Sequence, residues 1–283
     1  MLYSFHIYCS EETAIIEHSV QIKKRHLRTR NMVSYFVEVL SFLTPNSSVY
    51  RMKKIFNFSY YSIIILFATG YAQSSAYANN LKENTKIWTS IKSVVPISAN
   101  KRWSYFIEPQ LRFIDDKYKF NQINLYLGLK YQTSDDLSLW AGIYRRYEQK
   151  PNGSTENQYR LWQQAVWQVI GNEQMKLSSR TRLEERKNTQ YSQLSYRLRE
   201  KLGIKSPISN WSQHYLVISD EVFFQLNRPQ WVSNRFFSEN RAFIGFDIPI
   251  NNKYSYVIGY LNEFQFKNPN EMSNILYLQL NMQ

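Results

Sequence analysis

The residues best equipped for chemistry lie between Met175 and Lys205, where charged side chains fall on alternate positions on both sides of the short polar turn Lys187-Asn188-Thr189-Gln190-Tyr191. Before the turn Lys176, Ser178, Arg180, Arg182, Glu184 and Arg186 share one parity, while Leu177, Ser179, Thr181 and Leu183 take the other. After it Ser195, Arg197, Arg199 and Lys201 share a polar face opposite Leu194, Tyr196, Leu198, Leu202 and Ile204. Side chains alternate between faces along a strand, so the two runs make a ribbon with one apolar face and one guanidinium ladder. Planar guanidinium forks match the paired oxygens of carboxylates and phosphates, and the chemistry they offer is oxyanion binding. Arg112, Glu239 and Arg241 occupy polar-face positions on other strand-like runs and join the candidate set. If the turn closes the hairpin, Glu184 lies near Arg197 and Arg182 near Arg199.

Covalent or acid–base catalysis has little to work with. After Ala78 the only histidine is His214, beside Trp211 and Ser212 at the edge of a short turn, and a hydrolase would need a nucleophile held against such a base. Glu184 and Glu185 are adjacent, so on a strand they point to opposite faces and do not form a catalytic pair. Metal-ligand spacing and glycine-rich phosphate loops are absent, and no cofactor or catalytic residue is expected. An outer-membrane lipid-modifying enzyme is therefore the weakest functional class, and the expectation is a non-enzymatic protein.

The elements that must position the ladder are long alternating runs. Trp103 to Phe113 sets Trp103, Tyr105, Ile107, Leu111 and Phe113 against Ser104, Glu108, Gln110 and Arg112. Tyr118 to Thr133, Leu137 to Glu148, Gln158 to Ile170, Gln213 to Leu226, Arg235 to Ile248, Tyr254 to Phe266 and Ser273 to Gln283 repeat the device. The runs are about 11–14 residues long. Strands of globular proteins are mostly about 5–6 residues, whereas a tilted membrane-crossing strand needs about 9–11. A soluble sandwich would bury the apolar faces; a membrane barrel turns them to lipid and the charges inward. Tyr and Trp, which collect where one ring edge is wet and the other dry, fit the membrane arrangement. The predicted fold class is all-β, an antiparallel transmembrane barrel. With Thr85 to Val95 counted, the runs number eleven. Bacterial single-chain barrels use even numbers, so about 12 strands are expected, with 10 as the alternative. The longest predicted connection is Gln149 to Asn157.

The N-terminal region reads as processing signals. Met52-Lys53-Lys54, the apolar stretch from Ile55 to Tyr71 and then Ala76-Tyr77-Ala78 have the basic, apolar and small-x-small order of a secretory signal peptide over 52–78, cut after Ala78. Residues 1–51, with the single cysteine Cys9, are then an upstream extension and the barrel is 79–283. That stretch holds 27 Lys and Arg against 18 Asp and Glu, an excess of 9. Such an excess favours anionic partners, and export excludes nucleic acid as the natural one.

Trp88, Glu108-x-x-x-Arg112, Arg180-x-Arg182-x-Glu184-x-Arg186 and Tyr196-Arg197-Leu198-Arg199 together resemble a family of small Gram-negative outer-membrane barrels catalogued only as a domain of unknown function. The resemblance runs from about Asn84 to the C-terminus and implies an outer-membrane barrel without implying an activity. One departure is the ending Asn281-Met282-Gln283, where such barrels carry the aromatic residue that the insertion machinery reads. The expected partners are outer-membrane lipid and lipopolysaccharide, that machinery and small anionic solutes. The functional expectation is a narrow anion pore lined by the ladder, with a closed structural or adhesion barrel as the alternative. On the pore reading, replacing Arg182, Arg197 and Arg199 by Gln reduces anion preference.

Overall fold

The computed structural model describes residues 81–97, 99–114, 119–150, 152–208 and 214–282. The expected extension, signal peptide and cleavage position fall outside them, as do residues 115–118 and the Trp211 and Ser212 neighbours of His214.

Eleven strands close into one barrel: β1 (Leu81–Pro96), β2 (Trp103–Ile114), β3 (Lys119–Gln132), β4 (Leu137–Gln149), β5 (Thr155–Gly171), β6 (Lys176–Asn188), β7 (Leu194–Pro207), β8 (Tyr215–Gln225), β9 (Phe237–Pro249), β10 (Tyr254–Gln265) and β11 (Asn270–Met282). Each strand pairs antiparallel with its neighbours in sequence, and β1 closes the ring on β11. The count is eleven, where about twelve or ten was expected. Direction alternates around a meander, so with an odd number the first and last strands run the same way and the closing pair must be parallel. It is, from Leu81 opposite Asn270 to Ser93 opposite Met282. The residues from Leu81 to Lys86 that precede the clear alternation lengthen β1 and supply no twelfth strand.

The strands span 11 to 17 residues, long enough to cross a bilayer at a tilt. Their outward positions carry Tyr105, Ile107, Leu125, Ile143, Leu161, Ile218, Ile244, Tyr256, Ile258 and Leu276, all exposed. An apolar surface of that extent is stable against lipid and not against water. Exposed Trp103, Tyr105, Tyr254 and Tyr256 ring one end, and Phe120 and Tyr159 lie toward the other, as in an interfacial aromatic girdle. Two of the carboxylates on the outer wall are satisfied by outer-face neighbours. Glu200 accepts from Ser179 and Thr181, both at 2.6 Å, and Asp220 accepts from Asn240 at 2.6 Å.

One end of the barrel holds the connections 97–102, 133–136, 172–175, 208–214 and 250–253, and is called the turn end below. At the other, the loop end, β2 connects to β3, β4 to β5, β6 to β7, β8 to β9 through 226–236, and β10 to β11. The longest connection is 226–236, not the one after β4, because β5 begins at Thr155 and shortens that loop.

The inner wall has an aromatic sector and a charged one. Phe106, Tyr126, Tyr144 and Trp162 pack together on β2 to β5, and Trp88, Phe243, Leu261 and Ile275 on β1 and β9 to β11. Gly128 and Gly142 face each other across β3 and β4 beneath the Trp162 ring, where a Cβ on Gly142 would come within 2.7 Å of it. The bare backbone at this pair is what lets the indole lie against the wall.

Candidate functional site: the charged lumen

The ladder occupies the inner face of β6 and β7, and the register sets Glu184 opposite Arg197 and Arg182 opposite Arg199. Glu184 is fully buried and is the hub. It accepts from Arg197 Nε at 2.9 Å and Nη2 at 2.6 Å, from Arg199 Nη1 at 2.7 Å and from Arg160 Nη1 at 3.3 Å. Arg199 also donates through Nε to Glu221 at 2.7 Å, and Glu221 takes Arg180 as a second partner. A second network joins β9, β10 and β1, where Arg241 reaches Glu239 at 2.6 Å and Glu263 at 2.8 Å, and Glu263 accepts from Lys86 at 3.2 Å. Arg197 links the two through Glu239 at 3.6 Å. Carboxylates buried this deeply persist because each has more than one cation.

The guanidinium planes also lie against rings. Arg112 sits 3.6 Å from the centre of Trp88, Arg241 lies 4.9 Å from the same ring and 4.8 Å from Phe223, and Arg199 lies 4.6 Å from Phe223. Toward the aromatic sector Arg160 covers Tyr144 at 4.2 Å, and Arg182 covers Trp162 at 4.8 Å and Tyr126 at 5.5 Å. Cation and ring alternate from Arg112 through Trp88, Arg241 and Phe223 to Arg199, forming a plate across the interior.

The plate lies between two chambers, of about 470 Å³ toward the loop end and about 450 Å³ toward the turn end. Trp88, Arg112, Tyr126, Arg199 and Arg241 belong to the walls of both. Among the described residues, ten Lys and Arg and five carboxylates line the loop-end chamber. Nine and three line the turn-end chamber.

Every candidate read from the sequence lies on the inner side, but they divide by partner. Arg180, Arg197, Arg199 and Arg241 are ion-paired with Glu184, Glu221, Glu239 or Glu263. Arg112, Arg182 and Arg186 have no carboxylate within ion-pair distance among the described residues and are held by glutamines. Arg112 donates to Gln110 at 3.1 Å, Arg182 to Gln164 at 2.8 Å and Arg186 to Gln158 at 3.4 Å. Lys201 lines the turn-end chamber and likewise makes no ion pair among the described residues. Buried donors that find no protein acceptor include Arg112 Nε, Trp88 Nε1 and Gln158 Nε2.

The sequence reading missed Arg160, Glu263 and the rings that receive the guanidinium groups. Arg160 was accessible, since Gln158, Arg160, Trp162 and Gln164 alternate as cleanly as the ladder does. The cation–ring pairs join distant strands and carry no local signal. Among the described residues no three His, Cys, Asp or Glu side chains converge as a metal site would require.

An uncharacterized protein of Methylorubrum extorquens is 30% identical over 204 residues, 71% of this chain and 85% of that one. Among solved structures, the NanC porin aligns with a TM-score of 0.39 at 10% identity, over 64% of this chain and 87% of that one. An anion-selective porin from Comamonas acidovorans aligns with a TM-score of 0.30 at 11% identity, over 58% of this chain and 48% of that one. Residues 85–274 match the family described as protein of unknown function (DUF2490), and the chain belongs to that family.

Proposed function

We propose that the protein is an outer-membrane barrel whose lumen admits small anions, with the plate of rings and guanidinium groups as its narrowest point. The signal-peptide pattern of 52–78 and the apolar outer wall support the location, with outer-membrane lipid, lipopolysaccharide and the insertion machinery as the surroundings it requires. The observation that carries the reading is the surplus of cations over carboxylates on both sides of the plate, together with guanidinium groups at Arg112, Arg182 and Arg186 that have no carboxylate within ion-pair distance among the described residues. Desolvated cations of this kind are stabilised by an anion or by water in the lumen. Positive rings are also how anion pores select. Conduction through such a lumen involves no covalent step.

The plate itself favours a second reading, a closed barrel with a structural role. Eight-stranded barrels are filled by side chains and sixteen-stranded ones hold open channels; eleven lies between. Single-channel recording from the membrane-extracted protein in a planar bilayer, with a salt gradient, separates the two. Steady steps with an anion-selective reversal potential support the pore. Silence from protein shown to be folded and inserted supports the closed barrel and overturns the pore.

A further inference from the structure

Arg186 differs from the arginines around it. Its neighbours Arg160 and Arg197 share Glu184, whereas Arg186, 8% exposed, meets no carboxylate within ion-pair distance among the described residues. Its one hydrogen bond is long, Nε to Gln158 Oε1 at 3.4 Å, and that oxygen is already taken by Arg160 Nε at 2.7 Å. The Gln158 side chain is 1% exposed, and its Nε2 has no partner. The terminal nitrogens of Arg186 and the buried amide nitrogen of Gln158 therefore both belong to the lining of the loop-end chamber with no hydrogen-bond acceptor among the described residues.

Trp231 completes the arrangement. It sits on the 226–236 loop, its ring centre 5.1 Å from the Arg186 guanidinium, and is fixed by Nε1 donating to the Gln193 carbonyl at 3.0 Å. It lines both the chamber and a surface pocket among the loops, so it stands where solute passes from one to the other. The guanidinium carbon lies over the indole and Nε is the atom bonded to Gln158, so the terminal nitrogens are the ones left for a ligand.

We infer that Arg186, Gln158 and Trp231 form an oxyanion-binding site that captures a carboxylate or phosphate group of a small solute at the loop-end entrance. A guanidinium edge supplies two parallel N–H donors to two oxygens of one anion, and the amide adds a third. Chloride uses that geometry poorly, so the site prefers oxyanions to halide. This rests on the reading that the lumen admits anions, but binding is measurable without conduction.

The test uses the full protein extracted in detergent, titrated with inorganic phosphate and separately with acetate at constant ionic strength set by sodium chloride. Binding is followed by calorimetry and by tryptophan emission. Saturable binding of either anion is expected, with an emission change that disappears in Trp231→Phe. Phosphate alone, or acetate alone, would assign the site to that group. Arg186→Gln should weaken binding by about 10- to 100-fold, the loss of one charge-assisted contact. Arg186→Lys keeps the charge without the fork, should fall between, and serves if the glutamine variant does not fold. Arg145→Gln, on the outer wall over Tyr159, should bind as the parent does. No saturable binding by the parent overturns the proposal, and so does unchanged binding by Arg186→Gln or, in its place, Arg186→Lys. An anion-selective conductance without saturable binding would sink this site and leave the pore standing; binding without conductance would do the reverse.

Discussion

Two groups of arginines share the inner wall and face the same interior, yet they are built differently. Arg197 and Arg199 converge on Glu184, and Arg199 continues to Glu221, so their charges are neutralised by the protein. Arg112, Arg182 and Arg186 rest on glutamines and rings, so theirs are not. Residue type does not separate the groups; the partner across the barrel does. On the proposed function, the first group stabilises the wall and the second acts on what enters the lumen. A triple replacement of Arg182, Arg197 and Arg199 would therefore mix two effects.

The contrast breaks most severely at Glu184. Glu184→Gln leaves three buried guanidinium groups without their shared carboxylate, and removing one member of a buried ion network costs about 3–5 kcal/mol. Urea unfolding in micelles should register that loss, while Arg182→Gln should move the midpoint far less. Equal midpoints for the two variants would erase the distinction.

A smaller effect is expected at the aromatic wall. Gly142→Ala places a methyl group within 2.7 Å of Trp162 and 2.0 Å of the Leu127 carbonyl, and overpacking of this kind costs about 1–3 kcal/mol. Because Arg182 lies over the same indole, the variant should also perturb the Arg182 contact. Its unfolding midpoint and its ion selectivity should both shift; a parental midpoint would mean that Trp162 moves freely.

Conductance sharpens the role of the plate. Trp88→Ala removes the ring between Arg112 and Arg241, so the step size in a bilayer should rise while anion preference persists. An unchanged step would place the narrowest point elsewhere.

The smallest effect concerns the loops. The hydrogen bond from Lys150 to Glu156, across 3.0 Å, raises the Lys150 ammonium above its ordinary value. A raised lysine contributes stability below its unfolded value of about 10.4, and the contribution is lost as pH rises through the folded value. The Lys150 side chain is solvent-exposed, so the effect is slight. The difference in urea midpoint between the parent and Lys150→Gln should shrink as pH rises above about 10.4. A difference that grows instead would contradict the pairing.

Much of this was legible in the sequence because a membrane strand displays its two environments residue by residue. Leu137 to Glu148 and Tyr254 to Phe266 anticipate β4 and β10 to within a residue, and the parity of the ladder anticipates the Glu184 and Arg197 pairing. What escaped depends on the ring as a whole. The parallel seam joins the two ends of the described barrel, and nothing local in β1 or β11 announces it. The partner of each arginine also escaped, because Arg241, Phe223 and Trp88 meet only once the wall curves shut. The placement of Trp231 likewise depends on Gln193, a residue of a different loop.

The central claim is that the uncompensated arginines, not the ladder as a whole, set the charge preference of the lumen. The most direct test is the reversal potential, under a salt gradient, of the parent beside the combined Arg112→Gln, Arg182→Gln and Arg186→Gln variant. The account predicts an anion-selective parent and a variant shifted toward zero or cation preference, with folding largely retained. An equally anion-selective variant, or an inserted parent that carries no current, would contradict it.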